Sequence, residues 1–133
     1  MIVLVLLGGG AAVVSNIVNP SENFIIVKVR VPELSALAKR GKISFDKNCA
    51  QCHGANGSGT DKGPPFVHTT YNPGHHGDDA FYRAAKKGVQ SHHWPFGNMP
   101  AQPQVSDRQL AGVIKYVREL QQANGIYYKA HRM

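Results

Sequence analysis

The residues best able to do chemistry are two cysteines and a histidine in one short run, Cys49-Ala50-Gln51-Cys52-His53. Two thiols three residues apart at the end of a helix lie on one side, where they can add to the two vinyl groups of one porphyrin. The imidazole of His53 then lies beside the iron and can bind it through a ring nitrogen. The run therefore predicts one covalently attached c-type haem. A thioredoxin-like redox pair would need a βαβ pattern around the cysteines, which the sequence lacks.

A second iron ligand is predicted at Met99, in the proline-rich run Asn98-Met99-Pro100. The only other methionines are the two terminal residues of the chain. A thioether is a soft, neutral ligand that favours reduced iron and raises the reduction potential. Two alternatives stay open: a loop methionine that packs on an apolar surface, and a histidine ligand, His92 or His93, which would give a lower potential.

Further histidines lie in the long loops, and the sequence leaves their role open. One interpretation is a second metal site, for example for copper. The other is a set of partly exposed side chains that bind haem propionates or the loop backbone. The second is favoured because adjacent pairs in loops lack a defined ligand spacing. The histidines in question are His68, His75, His76, His92 and His93.

Two aromatic residues of the loops are also candidates for contact with the cofactor. Trp94 is the only tryptophan of the chain. Its indole N–H could reach a haem propionate, or its ring could form a wall of the haem pocket. Tyr71 has the same two possible roles.

One helix is predicted directly before the cysteine run. It begins at Pro32, and its apolar residues from Leu34 to Phe45 recur at helical spacing. Residues 54–77 and 89–105 are rich in glycine or proline and are predicted to be long loops. Such loops are usually functional or disordered, so we expect them to surround the cofactor.

Two more helices are predicted after the first loop. One runs from a cap at Asp78 to about residue 87 and ends at Gly88. The other begins with a capping box of Ser106 and Gln109 and carries an apolar stripe as far as Leu120. The chain thus predicts an all-α fold.

In this order, the motifs resemble those of class I monohaem cytochromes c, from about Ala36 to Gln122. The resemblance is carried by Gly41 and Phe45 before the C-x-x-C-H run, by Gly63-Pro64, by Met99-Pro100 and by Tyr116 in the last helix. It implies three to four helices and long loops wrapped around one haem. It also implies that the Pro64 carbonyl accepts the free ring N–H of His53, and that Val113 and Tyr116 pack over Gly41 and Phe45. The haem-binding residues are then Cys49, Cys52, His53, Pro64, Trp94 and Met99, with His53 and Met99 on the iron.

The N-terminal region has a different composition from the rest of the chain. Residues 2–18 are apolar except for Ser15 and Asn16, and as a helix they would span about 26 Å, slightly less than a bilayer core. An uncleaved anchor over 1–19 is favoured over a signal peptide, because no basic residue precedes the apolar run. Residues 20–32 are predicted to be a linker with a short extended segment, 33–123 the cytochrome c domain and 124–133 a tail.

Length and charge limit the classes of function. The 133 residues suit one domain, and two cysteines exclude a multi-disulfide scaffold or a four-cysteine zinc site. The formal net charge is +7, and all 15 Lys and Arg lie within residues 28–133. A basic surface favours acidic partners. Lysines near the haem edge would steer docking, with Lys62, Lys86 and Lys87 as the candidates.

The expected function is one-electron transfer without catalysis, because two protein ligands leave no open position on the iron. By the resemblance, partners are a quinol–cytochrome c oxidoreductase and a terminal oxidase or a reaction centre, and no nucleic acid is expected. The expected location is the periplasmic face of the bacterial cytoplasmic membrane, with a soluble periplasmic protein as the alternative. Two other classes stay open: a haem subunit bound permanently in a larger oxidoreductase or photosynthetic complex, and a haem enzyme or gas sensor.

Overall fold

Four α-helices make up the regular structure of residues 24–131, the part of the chain that the computed structural model describes. They are α1 (Ala36–Asn48), α2 (Ala50–His53), α3 (Asp78–Lys87) and α4 (Asp107–Ala123), with short 3₁₀ turns at Ala55–Gly57 and Thr69–Tyr71. Within these residues the only β pairing is one antiparallel bridge, between Val89 and Met99. The all-α prediction is confirmed.

Helix α1 begins later than the sequence pattern predicted. The Ser35 hydroxyl accepts a hydrogen bond from the Ala38 N–H at 3.2 Å, so Ser35 is the N-cap and the first helical residue is Ala36. The predicted start at Pro32 is therefore wrong, because the residue with N-cap geometry lies three positions further on and the helix begins only after it. Leu34 lies outside the helix but still packs against the core.

The boundaries of α3 and the start of α4 lie close to their predicted positions. Helix α3 takes Gly77 as its N-cap, so Asp78 is its first residue rather than its cap, where its charge still faces the positive end of the helix. Gly88, at φ +75°, ends α3 as predicted. The capping box of Ser106 and Gln109 at the start of α4 is confirmed.

Helices α1 and α4 cross in backbone contact. A Cβ atom placed on Gly41 would lie 1.8 Å from the Gly112 carbonyl oxygen, so only glycine fits there. Beside this contact the buried rings of Phe45 and Tyr116 pack edge to face, with centroids 5.4 Å apart. The predicted packing of the last helix over Gly41 and Phe45 is confirmed, and Gly112 is the partner that the sequence analysis missed.

Both segments that flank the helices fold back onto them. Residues 24–32 have no regular secondary structure, and the Val27 N–H donates to the Ser58 carbonyl at 2.8 Å. Arg30 exchanges two hydrogen bonds with the Asn124 side chain, which lies at the end of α4. In the C-terminal segment, Ile126 packs against the core, and the Lys129 N–H donates to Asn72.

The predicted anchor, residues 1–19, lies outside the described residues. Among helices in the described part of the chain, none combines the length and apolar character that crossing a membrane requires.

The helix crossing can be tested with a matched pair of substitutions. We expect Gly41→Ala to lower the free energy of unfolding by about 3 kcal/mol, because the new methyl group meets rigid backbone. Gly112→Ala should cost less, about 1 kcal/mol, since its Cβ would lie 3.0 Å from the nearest atom, the Gly41 Cα. Both substitutions replace glycine with alanine inside a helix, so the gain in helix propensity is the same in the two variants. Guanidinium unfolding of both variants measures the difference, and equal effects would contradict the close crossing.

Candidate functional site

The six residues predicted to bind haem line one cavity of about 710 Å³. Helices α2, α3 and α4 and both long loops contribute to its wall. The buried core is divided into two clusters, one around Phe45 and Tyr116 and a smaller one around Val105 and Leu110. The lining includes Cys49, Cys52, His53, Pro64, Trp94 and Met99.

His53 has one ring nitrogen fixed by the backbone. It is 7% exposed, and its Nδ1 donates to the Pro64 carbonyl at 2.9 Å, the hydrogen bond that the resemblance implies. Because a carbonyl can only accept, the neutral ring carries its lone pair on Nε2. Burial lowers the pKa of His53, although the bond to Pro64 opposes this shift. His53 is therefore held neutral, in the form that binds a metal.

A glycine allows the loop to approach His53 so closely. A Cβ on Gly63 would lie 2.7 Å from the Cys52 carbonyl oxygen, so a side chain there would push away the loop that carries Pro64. The Phe66 ring stacks on the His53 imidazole at 4.1 Å between centroids. Gly63, Pro64 and Phe66 thus hold the imidazole in place.

Cys49 lies between α1 and α2, and Cys52 lies within α2. Burial raises the pKa of Cys49 to about 11, and electrostatic repulsion from Cys52 makes a smaller contribution in the same direction. Cys49 is half-buried, whereas Cys52 is exposed.

Met99 is positioned by the β bridge at the end of α3. Its N–H donates to the Val89 carbonyl and its carbonyl accepts from the Val89 N–H, both at 2.9 Å. A Cβ on Gly88 would lie 2.5 Å from the Met99 carbonyl oxygen. The backbone of this loop is thus fixed at Met99, whose half-buried side chain lines the same cavity as His53.

Trp94 and Tyr71 join the two long loops. The Trp94 indole N–H donates to the Tyr71 hydroxyl at 3.0 Å, and both rings line the cavity. Burial raises the pKa of Tyr71 to about 12, opposed by the bond from Trp94. Both residues line the cavity, and the choice between the two roles that the sequence left open stays a prediction.

Two polar residues of α4 hold the loop over the cavity, and the sequence analysis missed both. Gln121 is fully buried, and its amide donates to the carbonyls of Phe66 and Tyr71, both at 2.9 Å. Arg118 donates to the carbonyls of Tyr71 and His76, to Gln121 and to Asp78. The sequence feature that could have identified them is a pair of polar residues three positions apart beside the apolar stripe of α4.

The loop histidines do not share one environment. His68 bonds to Thr70, and His92 donates to the Gln90 carbonyl at 2.8 Å. In the other three, one ring nitrogen from each lies within 4.8 Å of the other two, and all three side chains line the cavity. These three are His75, His76 and His93.

Two of the three candidate docking lysines lie beside the cavity. Lys62 and Lys87 contribute to its lining and are exposed. Lys86 instead pairs with Asp107 at 2.7 Å and donates to the Val105 carbonyl at 3.2 Å. Its charge is partly neutralised within the fold.

Helices and loops around one cavity, with C-x-x-C-H and a loop methionine in its wall, define a small c-type haem protein. The family model for cytochrome c matches residues 38–121, well over half of the chain, and the chain belongs to the cytochrome c family. Membership assigns it to haem-based electron transfer and implies covalently bound haem c. The comparison with curated proteins found no match.

The loop support predicts a specific loss of stability. Gln121→Met preserves the size of the side chain but leaves the Phe66 carbonyl and an Arg118 N–H without their partner, whereas the Tyr71 carbonyl keeps its bond from Arg118. We expect the free energy of unfolding to fall by about 2 kcal/mol. Gln122→Met, on the exposed side of the same helix, should change it by no more than about 0.5 kcal/mol. Denaturant unfolding of both variants is the measurement, and equal effects would contradict the role of Gln121.

Proposed function

We propose that the protein is a one-electron carrier whose single haem is attached through Cys49 and Cys52 and ligated by His53 and Met99. The observation that carries the proposal is the joint position of the two ligand candidates. His53, with Nδ1 fixed by Pro64, and Met99, fixed by its bridge to Val89, line one cavity.

The cavity fits a haem in the chemistry of its wall. Both thiols lie at one edge beside a neutral imidazole, and most of the remaining lining is apolar, with Phe66, Phe81 and Leu110 among it. When bound, haem iron supplies a reversible one-electron couple. The chain orients the imidazole through Pro64, offers a thioether that favours reduced iron, and excludes water with the aromatic wall. With His53 and Met99 as its ligands, the iron would have no open position for a substrate.

Docking to a redox partner is proposed at the rim beside Lys62 and Lys87. These exposed cations would attract the acidic docking surfaces of a quinol–cytochrome c oxidoreductase, a terminal oxidase or a reaction centre. Such encounters are small and sensitive to salt. We also propose a periplasmic location, because haem is attached to C-x-x-C-H outside the bacterial cytoplasm. Membrane attachment through residues 1–19 stays a prediction.

A second candidate function is that of a haem subunit bound permanently in a larger membrane oxidoreductase. Large apolar side chains are exposed on both flanking segments, including Ile26 at 64%, Tyr127 at 63% and Tyr128 at 72%. Exposed apolar surface on elements outside the haem pocket favours contact with another protein. The subunit composition after purification in mild detergent separates this function from that of a free carrier.

Covalent attachment is tested by mass and by extraction. The mature protein should exceed the mass of its polypeptide by one haem, and acid–acetone should leave the colour with the protein. Cys52→Ala should retain one thioether and shift the pyridine haemochrome band to longer wavelength, because one vinyl group stays conjugated. Gln51→Ala, between the cysteines, should keep the band of the unchanged protein. Colour that extracts into acetone would contradict covalent attachment.

The axial role of Met99 is tested by optical titration. Met99→Ala should keep the haem attached, abolish the far-red sulfur-to-iron band of the oxidised form and lower the potential, because the soft ligand is lost. The opened iron should also bind carbon monoxide, which the unchanged protein should not bind readily at neutral pH. His92→Gln and His93→Gln are the controls and should retain the band. An unchanged spectrum of Met99→Ala would assign the sixth position to another residue.

A further inference from the structure

Three imidazoles from the two long loops converge at the rim of the cavity. His75 and His76 come from the first loop, and His93 comes from the second. One ring nitrogen from each lies within 4.8 Å of the other two. The sequence favoured partly exposed histidines that bind haem propionates or the loop backbone, because adjacent pairs lack a defined ligand spacing, whereas the fold brings a third histidine from a distant segment.

The separation of two of these nitrogens fits coordination of one ion. His75 Nε2 and His93 Nε2 are 3.3 Å apart. Two nitrogens bound at about 2.0–2.1 Å with a tetrahedral angle between them are about 3.3–3.4 Å apart. The spacing therefore matches two ligands of a tetrahedral ion.

Hydrogen bonds orient two of the three rings. The Nδ1 of His76 lies 2.7 Å from the Thr70 carbonyl, which can only accept, so the Nε2 of the neutral ring carries the lone pair. The Nδ1 of His75 pairs at 2.8 Å with the Nδ1 of His131 from the C-terminal segment. Hydrogen bonding of the second ring nitrogen is what fixes metal-binding histidines in proteins.

We propose that His75, His76 and His93 form a second metal site that binds one divalent ion of the zinc and copper class. Imidazole donors suit these ions, and the absence of carboxylates from the ligand set disfavours Mg²⁺ and Ca²⁺. Three protein ligands leave a fourth position for water or a partner's side chain. The bound ion joins the two haem loops, and through His131 it also holds the C-terminal segment.

The site is tested by calorimetric titration of the oxidised holoprotein, prepared without a histidine tag, with zinc chloride. We expect one equivalent to bind, in competition with Cu²⁺ and not with excess Mg²⁺, and to raise the melting temperature. No binding by the unchanged protein would overturn the proposal. Covalent haem and its spectrum are measured on the same sample, so failure of this site is distinguishable from failure of the electron-transfer function.

Substitutions assign the ligands. His75→Gln, His76→Gln and His93→Gln should each weaken Zn²⁺ binding at least tenfold, and His131→Gln should weaken it about tenfold, as expected of an orienting residue. His92→Gln is the matched control, an exposed neighbour outside the cluster, and should bind as the unchanged protein does. Undiminished binding by the triple variant, or loss of the normal haem spectrum in His93→Gln, would overturn the assignment.

A measurement on the unchanged chain guards against variants that fail to fold. Zn²⁺ should protect His75, His76 and His93 from diethyl pyrocarbonate, as located by peptide mass spectrometry, and should leave His92 reactive. Equal modification of the three histidines with and without Zn²⁺ would overturn the proposal.

Discussion

The close crossing of α1 and α4 is the contact on which the rest of the structure depends. Because Gly41 meets the Gly112 carbonyl without a side chain between them, the two helices approach at backbone distance. Helix α1 leads directly into the cysteines and His53, whereas α4 carries Gln121 and the apolar residues that face the cavity. A shift of one helix against the other would therefore move the proposed iron ligand relative to the loop that orients it.

Hydrogen bonds hold the loops around the cavity, in addition to the packing of Phe66, Val67 and Val105 in the core clusters. A fold that encloses a cavity of about 710 Å³ cannot fill its centre with side chains, and its core is accordingly divided into two clusters. The loops gain order from side-chain donors, among them the buried amide of Gln121 in α4, which bonds to the first loop, and the half-buried indole of Trp94, which joins the two loops. A buried donor without its partner costs free energy, so each of these contacts favours one loop conformation. The rim of the cavity is thus ordered enough to bring three histidines from separate segments together.

Much of the fold and the core of the candidate site could be predicted from the sequence. Local patterns are sufficient for elements defined by neighbours in the chain, such as the capping box of Ser106 and Gln109, the stop at Gly88 and the C-x-x-C-H run. The start of α1 was placed at Pro32 instead of Ala36 because proline and serine both suit a helix start, and the bond from the Ala38 N–H identifies Ser35 as the cap. The role of Gln121 was missed because its partners lie some 50 residues away along the chain.

The sequence by itself determined the all-α class, the order of the motifs and the chemistry of the ligand candidates, because residue type and short spacing define these properties. The tertiary structure alone decided which groups meet. It brings Gly41 into contact with Gly112 and places the Trp94 indole within hydrogen-bond distance of the Tyr71 hydroxyl. It also keeps His92 outside the cluster of His75, His76 and His93. The physical reason is that periodicity and motifs report interactions between near neighbours. Contacts across the chain depend instead on how closely the helices pack and on which buried donors the loops must satisfy.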